Sequence, residues 1–189
     1  MKMYNRCSCE KVIIYLAIVL LLPLSIWAQE NQLSNYNRDT LITAAKEMMV
    51  VARYCALITL DKDGHPQART MDPFSPEGNM VVWLATNSNS RKVNEIRNDS
   101  RATLYYEAPD GSGYVVIKGH AYLVDDPKKK LKYWKKEWET FYSDQKTGYI
   151  LIKVIPDRLE ILDYKHGITG ASKTWEVPYL DFESSESKK

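Results

Sequence analysis

The chain has 189 residues, with 26 lysines and arginines against 24 aspartates and glutamates. This length is enough for one ordinary domain with a hydrophobic core. Three of the basic residues and one acidic residue fall within residues 1–28, so the rest of the chain carries 23 of each sign. That balance argues against a nucleic-acid partner, because nucleic-acid-binding proteins show a basic surplus.

Residues 1–28 have the composition of an export signal. Three basic residues come first, an apolar run covers residues 12–24, and Ala28 supplies a small residue before Gln29. This order predicts a signal peptide cleaved near Ala28, so the mature protein is expected to be periplasmic or secreted. The alternative is an uncleaved N-terminal membrane anchor, because the apolar run is at the short limit for spanning a bilayer. Residues 29–38 are polar and predict a linker.

The cysteine content predicts a fold without disulfide bonds. Cys7 and Cys9 lie in the leader, so Cys55 is the single cysteine of the expected mature chain. One thiol cannot form an internal bridge, and nothing beside Cys55 in the sequence would activate it as a nucleophile. We therefore interpret Cys55, which belongs to an apolar run, as a small core residue.

Between residues 39 and 163 the hydrophobic pattern predicts a single mainly β domain with peripheral helices. Alternation with a period of two, bounded by turn residues, marks the strands. The predicted strands cover residues 54–61, 66–74, 79–86, 101–108, 114–124, 148–155 and 158–163. Most connections are too short for a parallel crossover, which favours an antiparallel barrel. Gly119 inside the fifth strand predicts a bulge or a close approach of another backbone segment.

Three helices are predicted around these strands. Asp39 is the expected cap of the first. Ser90 is the expected cap of a short helix over residues 91–98, and a third helix begins at Pro127. The third helix carries an apolar stripe that is more typical of a core than of a cofactor site. The stripe consists of Leu131, Trp134, Trp138 and Tyr142.

After the last strand, residues 164–189 form a tail without a clear period. Its aromatic residues predict that part of the tail docks on the domain, and its polar end is expected to be disordered. The aromatic residues in question are Trp175, Tyr179 and Phe182.

The stretch over residues 69–92 departs from local preference. Arg91 and Lys92 open the helix over residues 91–98, although the helix dipole already makes that end positive and favours acidic residues. Misfits of this kind cluster at functional sites, and a helix N-terminus with cations is suited to holding a phosphate. We interpret the stretch as the phosphate end of a cofactor site.

Arg69 is a further candidate in this stretch. It shares one face of its strand with Met71, and an arginine in that position needs an anionic partner. The partner is either a phosphate or a carboxylate of the protein. The hydroxyls of Thr86, Ser88 and Ser90 can likewise donate to a phosphate or serve the turn and the helix cap.

Five short motifs follow one another in order between residues 40 and 163. They are Gly64-His65-Pro66-Gln67-Ala68-Arg69, Val82-Trp83-Leu84-Ala85-Thr86, Ser90-Arg91-Lys92, Ala102-Thr103-Leu104-Tyr105-Tyr106 and Val115-Val116-Ile117-Lys118-Gly119. Taken together they resemble the FMN-binding split β-barrel family related to pyridoxamine 5'-phosphate oxidase, especially its general stress protein branch. The resemblance implies an FMN-binding split β-barrel as the fold.

The resemblance also implies the site residues. Arg69, Arg91 and Lys92 would hold the FMN phosphate, with Ser90 beside them. The residues expected along the flavin ring and ribityl chain are Thr70, Met71, Ala85 and Thr86. A homodimer with flavin at the interface is implied as well. This agrees with the small size of the barrel, whose interior is filled by side chains and leaves a flat cofactor outside it.

The chain departs from the vitamin B6 oxidases of this family at three places. Tyr114 stands where they have a flavin-contacting glutamine, and Leu162 stands where they have a tryptophan. Their closing Arg-x-His-Asp-Arg signature is absent from residues 160–167. The flavin site is therefore expected without vitamin B6 oxidation. A flavin-dependent oxidoreductase with no identifiable catalytic side chain is the main hypothesis, and a flavin-binding stress protein without turnover is the alternative.

The three histidines do not predict a metal site. His65, His120 and His166 are far apart in sequence and no two have metal-ligand spacing. Some split-barrel relatives bind haem through a histidine, which leaves a haem-binding protein with His166 as ligand as a further alternative.

Overall fold

Alternating buried and exposed residues build a seven-stranded sheet in the computed structural model, which describes residues 36–142 and 148–183. The strands are β1 (Cys55–Leu60), β2 (Pro66–Met71), β3 (Val82–Asn87), β4 (Arg101–Glu107), β5 (Gly113–Val124), β6 (Tyr149–Asp163) and β7 (Tyr179–Asp181). The helices are α1 (Arg38–Ala52), α2 (Arg91–Asn98), α3 (Pro127–Lys132) and a 3₁₀ helix (Lys136–Thr140). The predicted signal peptide, most of the predicted linker and the predicted disordered end lie outside the described residues.

Within those described ranges, no helix has both the length and the apolar character needed to cross a membrane.

The strands follow the order β2-β1-β4-β5-β6-β3, with β7 added beside β6, and all of their pairings are antiparallel. The predicted mainly β fold with peripheral helices is therefore confirmed. Strands β2 and β3 stand at the two ends of this path, so each pairs along one side only among the described residues. Residues of both of these strands line one cavity.

The core joins the inner face of the sheet to one side of α1. Buried side chains of α1 recur at helical spacing and pack onto the same cluster as those of the strands. The α1 contribution consists of Leu41, Ala44, Ala45, Met48 and Met49. On β1 the alternation buries Cys55 and Leu57, which confirms Cys55 as a core residue. Its thiol is free, and burial is the main cause that raises its pKa to about 12.

We expect Cys55 to resist alkylation in the folded protein. At pH 8 a thiol whose pKa is about 12 is almost entirely protonated, and the thiolate is the reactive form. Iodoacetamide treatment followed by mass spectrometry of the Cys55 peptide measures this directly. The peptide should stay unmodified in native buffer and be modified within minutes in denaturant. Rapid native labelling would contradict the buried position.

Gly119 lies beside a bulge whose extra residue is Asp157 on β6, and this bulge explains an error in the predicted strands. The ladder between β5 and β6 shifts register between Lys118 and Gly119, opposite Pro156. Proline cannot donate to a ladder, so the chain was predicted to break into two strands there. The bulge accommodates Pro156 instead, and β6 continues through it as one strand of 15 residues.

Two helix predictions also need correction. The cap of α1 is Asn37, whose side chain accepts a hydrogen bond from the backbone of Asp39 at 3.0 Å, so Asp39 lies one position inside the helix. The third helix ends at Lys132, after which a 3₁₀ turn follows. The predicted single stripe is therefore wrong: Leu131 is 63% exposed. The aromatic members of the stripe still pack together, as Trp134, Trp138 and Tyr142 with Tyr149.

The tail docks through a short strand. β7 pairs with β6, and Phe182 packs partly buried against the core. Trp175 does not take part, because it is 80% exposed.

Candidate cofactor site

A cavity of about 850 Å³ is lined by both open edges of the sheet. Thr70 and Met71 come from β2, and Ala85 and Thr86 come from β3. These are the four residues expected along the flavin ring and ribityl chain, so the fold brings them to one cavity although β2 and β3 are at opposite ends of the sheet. The volume lies within the range of roughly 300–1,000 Å³ that is usual for small-molecule sites.

Another part of the cavity lining, called here the aromatic wall, was not predicted from the sequence. It is formed by Phe74, Trp138, Phe141 and Tyr142. Lys135 fastens this wall to the end of β2, since its ammonium donates to the Asp72 carboxylate at 2.7 Å and to the Pro73 carbonyl at 2.9 Å. Its Nζ also lies 4.9 Å from the centre of the Phe74 ring, a cation–π distance.

Arg69 has its anionic partner inside the protein. Its Nη2 donates to the Glu95 carboxylate at 2.6 Å, and its Nη1 donates to the Thr59 hydroxyl at 2.5 Å. The Arg69 side chain is 17% exposed and that of Glu95 is 4% exposed. A carboxylate partner was one of the two possibilities for Arg69, and the structure shows that it exists. The guanidinium is thereby held in a fixed orientation.

Arg91 approaches the same carboxylate from the solvent side. Its Nε lies 2.9 Å from the second oxygen of Glu95, one helical turn away, and its Nη2 donates to the side-chain oxygen of Gln67 at 3.1 Å. The Arg91 side chain is 72% exposed. The helix that begins at Arg91 has the predicted bounds.

Lys92 connects these cations to the cavity. Its Nζ donates to the Thr86 hydroxyl at 3.0 Å, and the Ser90 hydroxyl lies 3.2 Å from the same oxygen. Ser90 occupies the predicted cap position but makes no side-chain cap hydrogen bond, because its hydroxyl faces Thr86 instead. Thr86 lines the cavity, whereas Arg69, Ser90, Arg91 and Lys92 do not. The hydrogen bonds of Thr86 therefore connect the predicted phosphate residues to the predicted ring residues.

The site has a surplus of positive charge. Burial, followed by repulsion from Arg69, lowers the pKa of Lys92, although Glu95 opposes these effects. Burial works against the ionised form of Glu95, but hydrogen bonds from Thr59 and Arg69 outweigh it and lower the pKa of this carboxyl. With Arg69, Arg91 and Lys92 as cations and Glu95 as an anion, the cluster has three positive charges and one negative charge. The remaining charge of about +2 matches the −1.5 to −2 of a phosphate monoester.

The family model described as pyridoxamine 5'-phosphate oxidase like matches residues 42–172. The chain belongs to this family. No curated protein matches the chain.

Several solved structures of pyridoxamine 5'-phosphate oxidase-like proteins share the fold. General stress protein 26 from Bacillus anthracis str. Sterne is 22% identical, with a TM-score of 0.58 over 72% of this chain and 98% of that one. A protein related to general stress protein 26 from Clostridium acetobutylicum is 18% identical, with a TM-score of 0.60 over 68% and 92%. A pyridoxamine 5'-phosphate oxidase-related, FMN binding protein from Nostoc punctiforme PCC 73102 is 16% identical, with a TM-score of 0.52 over 77% and 96%.

The departures from the vitamin B6 oxidases of the family fall together in the fold. Tyr114 on β5 and Leu162 on β6 are direct partners in the antiparallel ladder. Tyr114 also stacks on Tyr105, with ring centres 5.7 Å apart. The two substitutions therefore change a single patch of the sheet, and neither residue lines the cavity.

The sequence alone did not identify Glu95 and Thr59 as residues of the candidate site, although both contact Arg69. The spacing of four between Arg91 and Glu95 on a helix was a readable signal for an ion pair. Thr59 had no such signal. Its contact with Arg69 depends on the register of β1 and β2, in which Leu57 lies opposite Arg69.

The histidines lie apart from this site. His166 faces two carboxylates, with Nδ1 2.6 Å from Asp163 and Nε2 3.3 Å from Glu47. The hydrogen bond to Asp163 is the main cause that raises its pKa, which favours an imidazolium over a neutral metal ligand. His65 lies near Asp61 and Asp63 in an exposed hairpin, with candidate ligand atoms within 4.8 Å of one another. The Asp61 carboxylate there already accepts two backbone N–H groups of the turn.

Proposed function

We propose that this protein binds FMN in the cavity between β2 and β3. The observation that carries the proposal is the cluster of Arg69, Arg91 and Lys92, whose surplus charge of about +2 lies beside a cavity of about 850 Å³. Phosphate would be held by these cations together with the Ser90 and Thr86 hydroxyls. The cation cluster would match the charge of the FMN phosphate, and the cavity of about 850 Å³ would hold the flavin ring.

The flavin ring would lie along the edges of β2 and β3, opposite the aromatic wall. Thr70 and Met71 would support it on one side, and Ala85 and Thr86 on the other. FMN supplies the electron transfer, while the protein binds and orients the ring and keeps water from one part of the cavity. We propose a flavin-dependent oxidoreductase that does not act on vitamin B6.

Two spectroscopic measurements test this function in sequence. Protein purified natively and then incubated with FMN should show the visible bands of bound flavin. Anaerobic addition of a reduced nicotinamide donor should then bleach these bands, and oxygen or an added electron acceptor should restore them. Bound flavin that no nicotinamide donor reduces would support a flavin-binding stress protein without turnover. A Soret band on reconstitution with haem, with no flavin binding, would contradict the proposal.

A homodimer is part of the proposal, and exposed apolar residues at the cavity rim support it. Val50 is 63% exposed, Tyr54 is 45% exposed and Phe141 is 79% exposed, and all three line the cavity. Grouped exposed apolar side chains are typical of interaction surfaces. In a symmetric dimer the same surface of each subunit would contact the other and close the cavity around the flavin.

Replacing Val50 with glutamate should weaken the dimer without unfolding the subunit. The side chain is already 63% exposed in the single chain, so the substitution removes little core packing. A charge placed in a desolvated interface is unfavourable, so we expect the dissociation constant of the dimer to increase by about tenfold or more. Sedimentation velocity over a dilution series measures this.

Leu131→Glu is the matched control for Val50→Glu. Leu131 is also 63% exposed, but it lies on α3 and does not line the cavity. The control should sediment like the wild type. Equal effects of the two substitutions would contradict an interface at the cavity rim.

A further inference from the structure

Glu95 is a buried negative charge inside a site proposed to bind an anion. Its side chain is 4% exposed, and its two oxygens contact Arg69 at 2.6 Å, the Thr59 hydroxyl at 2.5 Å and Arg91 at 2.9 Å. A buried carboxylate is costly unless it is paired, so these contacts stabilise it. They also mean that Glu95 and a bound phosphate would share the same cations.

The two arginines differ in how firmly Glu95 holds them. Arg69 is mostly buried and is also held by the Thr59 hydroxyl and, more loosely, by the Leu57 carbonyl at 3.4 Å. Arg91 is 72% exposed, and its distance of 2.9 Å to the carboxylate is an ion pair without hydrogen-bond alignment. Arg91 is therefore held less firmly by Glu95 than Arg69 is, and its other contact is an exposed hydrogen bond to Gln67 at 3.1 Å.

We propose that Glu95 is an internal counterion that sets the charge of the site to match one phosphate monoester. The inference rests on the proposed FMN function. It adds Glu95 as a residue that affects how strongly the site prefers FMN to riboflavin. With Glu95 the site carries about +2, and without it about +3. Glu95 lowers the affinity for the phosphate and, in return, keeps the cation cluster stable in the apoprotein.

Replacing Glu95 with glutamine has two opposing effects on FMN binding. Loss of a negative charge beside the phosphate strengthens binding by about tenfold, a value between the larger effect at an effective dielectric constant of about 20 and the smaller one in bulk water. Loss of an Arg69 partner weakens binding, but Thr59 and the Leu57 carbonyl still hold that guanidinium. The charge effect is therefore expected to dominate.

The experiment titrates FMN and riboflavin against wild type, Glu95→Gln and the control Glu176→Gln. Glu176 is an exposed carboxylate of the tail that does not line the cavity. We expect Glu95→Gln to bind FMN about tenfold more tightly with riboflavin affinity unchanged, and its apoprotein to melt at a lower temperature than wild type. Glu176→Gln should match wild type in its FMN affinity, its riboflavin affinity and the melting temperature of its apoprotein.

A second pair of variants keeps the test valid if Glu95→Gln alone does not fold. Arg91→Gln lowers the charge of the site by one, and Arg91→Gln with Glu95→Gln restores it. The double variant should bind FMN about tenfold more tightly than Arg91→Gln. Equal or weaker binding in either comparison would overturn the counterion role. A wild type that does not prefer FMN to riboflavin would instead overturn the proposed function.

Discussion

Replacing Arg91 and Lys92 together with glutamine should weaken FMN binding by about a hundredfold and leave riboflavin binding nearly unchanged. Hydrogen bonds to charged groups contribute roughly 1.5–3 kcal/mol each, and about 1.4 kcal/mol corresponds to a tenfold change in affinity. Riboflavin lacks the phosphate, so it does not use these contacts. Titration of both flavins against the double variant measures the ratio.

The fold should tolerate this double substitution. Removing two cations from a helix N-terminus relieves an unfavourable dipole interaction of a few tenths of a kcal/mol. Losing the Arg91–Glu95 pair, one helical turn apart, costs a similar amount. Lys128→Gln with Lys136→Gln is the control, because both lysines are exposed and neither lines the cavity. If the double variant loses FMN and riboflavin affinity equally, these residues do not bind the phosphate.

Substituting Gly119 with alanine should destabilise the domain by about 3 kcal/mol or more. An added Cβ would overlap the carbonyl oxygen of Ile155 and lie 2.9 Å from Cα of Pro156, both of which are backbone atoms. Backbone atoms cannot relieve a clash by changing rotamer as a side chain can, so the pairing of β5 and β6 at the bulge must deform. At about 2–4 °C per kcal/mol for a domain of this size, the melting temperature should fall by roughly 6–12 °C.

Gly78→Ala is the control for Gly119→Ala. No atom lies within 4 Å of a Cβ added at Gly78, and its φ is not in the left-handed region. Thermal unfolding of the two variants should therefore differ clearly, with Gly78→Ala within about 0.5 kcal/mol of wild type. A melting temperature for Gly119→Ala close to that of wild type would show that the strands do not approach as closely as described.

The sequence predicted the strands well where alternation is local. The strand predicted over residues 54–61 is observed as Cys55–Leu60, and the helix from Arg91 to Asn98 has the predicted bounds; both follow from turn residues and from spacing within a few positions. The continuity of β6 through Pro156 did not follow, because it depends on how β6 pairs with β5, with Asp157 left as the extra residue of the bulge. Such features are set by tertiary pairing, which a local pattern does not contain.

The site was predictable in part for the same reason. Motif order identified Arg69, Arg91 and Lys92, and the last two also stood out by their mismatch with local preference. In the fold Arg69 and Arg91 contact one carboxylate, and the charge of that carboxylate also acts on Lys92. That carboxylate belongs to Glu95, which looked like an ordinary helix residue. The aromatic wall was missed because Phe74 and Phe141 are distant in sequence, and only the folded chain brings both to the lining of one cavity.

Equilibrium titration of the wild-type protein with FMN and with riboflavin tests the central claim most directly. The account predicts saturation at about one FMN per subunit and a preference for FMN over riboflavin of about a hundredfold, because the phosphate contacts are available only to FMN. No binding at micromolar FMN, or equal affinity for the two flavins, would contradict it.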